Sequence, residues 1–206
     1  MIWLSNLVVG FFFSFIGSIP PGTINLSVIQ LGLRKHLGAA FRMALAAALI
    51  EYVYAAIAIK FQIFITSSPA IKENFQLITA IVLLALGGVN LLALRKKKGG
   101  ETKTPVMASS GFRKGVLLSI GNPLAMPFWI VVTAYLQSNS WVNFDDVPIW
   151  SYVLGISLGT LCVLSLLGLI SYKTGKFIEP DNKLIKIIPG IVLMTLGLYS
   201  LIMMYI

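Results

Sequence analysis

Glu51 is the residue best placed to do chemistry. It stands in AAALIEYVYAAIAI, and no other charge falls between Met43 and Ile59. A carboxylate in the middle of a membrane-length apolar run is costly, and such residues face a cavity or a partner and serve ion or substrate pathways. Desolvation penalises the charged form, so the group suits one of two tasks: carrying a proton, or holding the ammonium of a solute. The structural alternative is a protonated carboxyl hydrogen-bonded between helices. No mid-run lysine or arginine is available to pair with it.

Two proline knots form the second set of candidates. GSIPPGTINL, residues 17–26, interrupts an uncharged stretch with Pro20, Pro21 and Gly22. Proline lacks a backbone N–H and its ring clashes with the preceding turn, so one helical segment should end here and another begin. Thr23 or Asn25 would cap the restart. The second knot is Asn122-Pro123 in IGNPLAMP, where Asn122 can cap and Pro123 can take the first helical position. Pro127 adds a possible further break. Freed backbone groups at membrane depth must be buried in protein or line a wet cavity, and helix N-termini attract carboxylates. The substrate-binding candidates are therefore Pro20, Pro21, Gly22, Thr23, Asn25, Asn122 and Pro123, with Glu51 for proton coupling or the substrate ammonium. Kinks that serve packing alone are the competing explanation for either knot.

The remaining polar residues offer less. Cys162 is the single cysteine and His36 the single histidine, the latter beside Arg34 and Lys35. One thiol forms no disulfide within the chain, supports no thiol–disulfide electron transfer, and with a loop histidine makes no metal cluster. No enzymatic activity, cofactor or resident metal is expected. Tyr52 and Tyr54 read as packing or lining residues, and Asn90 as an interhelical hydrogen bonder.

The elements that must position these residues are membrane helices. The 206 residues are 57% hydrophobic with mean hydropathy +0.89, and only 11% are charged, against about 25% in soluble domains. The first apolar run lacks a basic leader and a cleavage site, so it reads as a retained span. Six spans fit: 2–33, 37–59, 74–94, 112–137, 149–172 and 184–206. The first would be about 48 Å long as one helix, far beyond a core of about 30 Å, so it must tilt, bend or break.

Orientation follows from the basic residues. Of 16 lysines and arginines, only Lys60 and Lys72 fall outside the loops after spans one, three and five or the span starts next to them. The positive-inside rule puts those three loops in the cytoplasm and both termini outside. The net charge of +9 is then a topology signal with some affinity for anionic lipid, and no nucleic-acid partner is expected. Trp3, Trp141, Trp150 and Tyr205 would fall near the outer interface.

An internal repeat divides the chain into 1–94 and 112–206 around a basic linker, 95–111, within a single membrane domain. LALGGVNLLAL in span three resembles MTLGLYSLIMM in span six, with Gly87 matching Gly197, and spans one and four each carry a knot. Three spans per half force the second half to be inverted. The expected fold is thus an all-α integral membrane protein of six helices in two inverted three-helix repeats, the first and fourth helices broken at their proline motifs. This is a plan many secondary transporters use. Gly155-x3-Gly159 fits a dimerisation pattern, which makes a homodimer one reading and tight packing within the chain the other.

SIPPGTINLSVIQLGLRKHLGAAFRMALAAALIEYVYAAIA, GFRKGVLLSIGNPLAMPFWIVV and PGIVLMTLGLYSLI together resemble the LysE/RhtB family of amino-acid exporters over about residues 7–204. Pro20, Pro21 and Gly22 match that family's PPGP signature, with Thr23 in place of the last proline. Glu51 falls where the family has an acidic residue in its second span. Phe112, Gly115, Asn122 and Pro123 match its FxxGxxxxxxNPK pattern, with Leu124 in place of the lysine. The resemblance implies export of amino acids or similar small zwitterionic solutes across the bacterial inner membrane, driven by the proton-motive force. Exporters of divalent metal ions in the same superfamily are the alternative.

Overall fold

The computed structural model describes residues 2–19, 22–66, 69–93, 111–122, 125–144, 149–175 and 183–202. Among the described residues there are eight helices and no strand. They are α1 (Ile2–Gly17), α2 (Thr23–Leu33), α3 (Leu37–Thr66), α4 (Pro69–Ala93), α5 (Gly111–Ile120), α6 (Ala125–Ser138), α7 (Trp150–Thr174) and α8 (Lys183–Ile202). The boundaries follow the sequence punctuation. Helix ends fall beside both knots, Pro69 takes the first position of α4 where its missing N–H costs nothing, and Gly175 closes α7 with φ +61°.

By length and composition, α3 and α7 can each cross a bilayer. A third span exists if α5 and α6 are taken together, although their axes differ by 66°. α1 and α2 are shorter apolar helices. At 30 residues α3 extends about 45 Å, more than the thickness of a bilayer core of about 30 Å.

Packing is organised around α3 and α7, which lie against each other. α1 and α2 pack on α7, α5 and α6 pack on α3, and α4 packs on α8. Close approach fixes two of these contacts. A Cβ on Gly155 would lie 2.1 Å from the Leu7 carbonyl oxygen, and one on Gly115 would lie 2.8 Å from the Met43 carbonyl oxygen. Gly155 and Gly159 therefore bring α7 onto α1 of the same chain. A core of Ala55, Leu83, Trp129, Leu136, Tyr152 and Ile156 joins α3, α4, α6 and α7.

The two ends of the bundle differ in chemistry. At one end, the α2–α3 turn carries Arg34 and Lys35. Lys35, at φ +62°, donates from Nζ to the Tyr172 carbonyl with its ammonium 4.8 Å from that ring. Gly111 of α5 packs on Ala39 at the same end. At the other end Asn6 Nδ2 donates to the Asn143 carbonyl at 2.7 Å, Trp141 stacks edge-on to Phe13, and Lys60 sits 5.8 Å over Trp150. Trp3, Trp141 and Trp150 are all exposed there.

Two expectations change. Neither Thr23 nor Asn25 caps α2: the N-cap is Gly22, with extended backbone and no side-chain cap. Pro127 makes no second break, because α6 runs through it from Ala125; it falls in the first turn, where no intrahelical bond needs its N–H.

Candidate functional site

Pro20, Pro21, Pro123 and Leu124 lie outside the described residues, as do residues 94–110, Asp145, Asp146, Tyr205 and the Asn90 side chain. The residues beside the knots are described, and each pair of helix ends has its own partners.

The α1–α2 junction is held by neutral hydrogen bonds. Asn25, 8% exposed, reaches back across the junction and donates from Nδ2 to the Ser18 carbonyl at 2.7 Å. That bond supplies one of the carbonyls left over where α1 ends. Ser14 Oγ and Thr160 Oγ1 share a buried hydrogen bond of 2.8 Å, and Ser18 Oγ lies 3.3 Å from the same Thr160 oxygen. Thr160 thus ties the end of α1 to the middle of α7. Gly22 and Thr23 are exposed.

The α5–α6 junction is held by α3. Tyr54 Oη donates to the Ile120 carbonyl at 2.8 Å, satisfying an orphan group at the end of α5. Trp129 Nε1 donates to Glu51 Oε1. The Trp129 side chain is 1% exposed, so its N–H needs an internal acceptor, and Glu51 is that acceptor. Asn122 is exposed beside Gly121 at the junction, and its carbonyl accepts from the Ala125 N–H at 3.5 Å.

Glu51 lies between the two junctions. Ile19 and Ile24, which flank the first, pack against a cluster that includes Ala44 and Ala47, about two turns and one turn before Glu51. Tyr54, three residues after Glu51, reaches the second. The junctions also meet directly, since a Cβ on Gly17 would lie 3.0 Å from the Phe128 ring and Phe128 packs edge-on to Trp129. Ser157 Oγ donates to the Ala48 carbonyl at 2.8 Å, fixing α7 to the same stretch of α3. This arrangement unites an ionisable oxygen, an indole donor and two sets of helix ends within a few turns of α3. Glu51 can accept a proton or a cationic group there, with the Trp129 indole N–H already bonded to it.

Not every polar feature joins it. Among the described residues no group of three or more His, Cys, Asp or Glu side chains gathers. A cleft of about 210 Å³ opens between α1, α6 and α8, but Phe12, Phe13, Ile16, Phe128 and Val132 line it with apolar surface, so it offers no polar contact to a solute.

Sequence reasoning singled out Glu51 but not Trp129 or Thr160, and it read Tyr54 as a packing or lining residue without its bond to the Ile120 carbonyl. For Trp129 a signal existed: the other tryptophans fall near span ends, as an interfacial belt requires, whereas Trp129 sits mid-run and its N–H had to find an acceptor. Nothing in the sequence singles out Thr160 among the membrane hydroxyls.

No curated protein and no solved structure matches the chain. The LysE type translocator family model matches residues 15–204, a range that includes both junctions, Glu51, Trp129 and Thr160. The chain belongs to the LysE type translocator family, a family of membrane transporters.

Proposed function

We propose that the protein is a secondary exporter of amino acids or similar small zwitterionic solutes, coupled to protons and working by alternating access. The observation that carries this reading is Glu51, mid-helix in α3, hydrogen-bonded to Trp129 and set between the two helix junctions. A carboxyl at that position can exchange a proton for the ammonium of a solute, while the N-terminal ends of α2 and α6 favour its carboxylate. Pro20, Pro21, Gly22, Thr23, Asn25, Asn122 and Pro123 are proposed as the substrate-binding set.

The architecture proposed is six spans in two inverted repeats, with α1–α2 matching α5–α6, α3 matching α7 and α4 matching α8. Paired contacts support it. α1 on α7 mirrors α5 on α3, and α2 on α7 mirrors α6 on α3. Gly87 of α4 packs on Met194 while Gly197 of α8 packs on Leu84. The gathering of basic residues at one end supports an orientation in the bacterial inner membrane with that end in the cytoplasm and both termini outside.

The test is counterflow in proteoliposomes under an imposed pH gradient, screening amino acids, with Glu51→Gln as the control. Wild type should move at least one amino acid faster under the gradient, and the variant should lose the pH dependence. A variant that transports with unchanged pH dependence removes Glu51 from the mechanism. Flux of zinc or manganese with no amino-acid flux replaces the substrate class by a divalent metal ion. For topology, Lys97→Cys and Asp145→Cys in a Cys162→Ser background should label from opposite sides of the membrane; labelling from one side breaks the inverted repeat.

A further inference from the structure

Ser119 is a buried hydroxyl with no assigned task. It is 4% exposed, and among the described residues its Oγ has no hydrogen-bond partner. A buried serine on a helix can satisfy itself by donating to the carbonyl four residues back, as Ser171 does to the Leu167 carbonyl at 2.7 Å. Ser119 makes no such bond to Gly115. A hydroxyl shut away from water without a partner costs stability, so the position suits a polar group that the chain itself does not supply.

The place of Ser119 in the fold indicates which group. A Cβ on Gly111 would lie 2.4 Å from the Ala39 carbonyl oxygen, and one on Gly115 would lie 2.8 Å from that of Met43. Further along, Tyr54 reaches the Ile120 carbonyl. Ser119 comes one turn after Gly115 on the same face of α5, so it meets α3 between Met43 and Tyr54, the stretch that contains Glu51. It is also the last residue but one of α5, where the helix end carries negative partial charge. A carboxyl side chain and a helix C-terminus both favour a cation, and a hydroxyl oxygen can accept from one. We propose that Ser119 Oγ accepts a hydrogen bond from the ammonium of the transported solute, with Glu51 as the counter-charge. This fixes the direction of the solute: ammonium toward the end of α5, carboxylate toward the start of α6. The assignment deepens the transport reading and rests on it. The oxygen is closed off in this conformation, so the solute meets it when the junction opens during the transport cycle.

The experiment is counterflow in proteoliposomes with the standard amino acids. The one that wild type moves fastest is then competed with its desamino acid, the same molecule without the ammonium. Ser119→Ala should raise KM for the amino acid about tenfold, as loss of a hydrogen bond to a charged group implies, while the maximal rate holds. The inhibition constant of the desamino acid should not change. An unchanged KM overturns the proposal, and so does an equal loss of affinity for both molecules. Thermal melting of the solute-free protein in detergent adds a readout of opposite sign. Ser119→Ala deletes an unpartnered hydroxyl and should raise the melting temperature, whereas Ser171→Ala deletes a bonded one and should lower it. A fall in Ser119→Ala reveals a partner within the chain and overturns the proposal. A wild type that moves no amino acid brings down the transport reading and this assignment with it, a result distinct from an active wild type with an indifferent Ser119→Ala.

Discussion

The two helix junctions look alike in sequence and are built differently. The α1–α2 junction rests on α7 through Ser14, Ser18 and Thr160, and closes on itself through Asn25. Every one of those groups is neutral. The α5–α6 junction rests on α3 through Tyr54 and through the Trp129–Glu51 pair, so among the described residues it is the junction bonded to a carboxyl side chain. On the proposed reading, the second junction is the half that feels protonation, and the first meets the solute with neutral groups. Glu51 keeps its Trp129 donor best when charged, because hydrogen bonds to an ionised acceptor are the stronger ones. On the proposed reading, taking up a proton weakens that link and is felt first at the second junction.

The largest expected effect comes from separating a junction from its support. Gly155→Val drives a side chain into the Leu7 backbone, and overpacking of this kind, with nowhere to relax, costs about 3 kcal/mol or more. Folded protein should fall sharply in a detergent-extraction and gel-filtration assay, whereas Gly88→Ala, where a Cβ meets nothing within 4 Å, should be harmless. Next in size is Trp129→Phe. It keeps most of the packing and removes the donor to Glu51, so the pH optimum of counterflow should shift and the rate should fall about tenfold, in line with loss of a charge-assisted hydrogen bond. A Trp129→Phe protein with wild-type rate and pH profile would show that the pair is structural.

Thr160→Val probes the neutral junction. Ser14 loses its buried partner, which costs about 1–2 kcal/mol, so the melting temperature should drop while the pH profile of counterflow stays put. If Thr160→Val moves the pH profile as far as Glu51→Gln does, the division of labour between the junctions is wrong. Tyr54→Phe removes one bond to the Ile120 carbonyl and should cost about 1 kcal/mol, read as a small fall in melting temperature. The smallest effect is expected from Thr23→Pro. Thr23 is the first residue of α2 after its Gly22 N-cap, a position that tolerates proline, so the melting temperature should not change. A clear loss of folded protein would mean that the Thr23 N–H is needed there.

Much of this fold was legible in the sequence because a bilayer leaves few options. Apolar segments in a bilayer have to be helices, and helices do occupy the segments read from hydropathy, although α3 runs on to Thr66 where the expected span ends at 59, and α4 begins at Pro69 where the expected span begins at 74. Glu51 was legible for the same reason, as a charge where charge is expensive. The family was legible from its motifs and is matched over residues 15–204. The caps were misjudged: Thr23 and Asn25 have the right chemistry for an N-cap, yet the extended Gly22 occupies the position and Asn25 turns back to Ser18.

The sequence by itself determined that the chain is helical and apolar, that two proline-marked breaks interrupt it and that one carboxylate falls in the middle of an apolar run. These are local or compositional properties, set by each segment's need to satisfy its own backbone and avoid burying charge. Tertiary structure alone decided which helix supports which junction, that Trp129 is the partner of Glu51 seventy-eight positions away, and that Thr160 ties off the end of α1. Those pairings are made between side chains far apart in the chain, and many membrane hydroxyls and aromatics are chemically able to make them. Only the close approach of helices at glycines such as Gly155 and Gly115 selects which ones do.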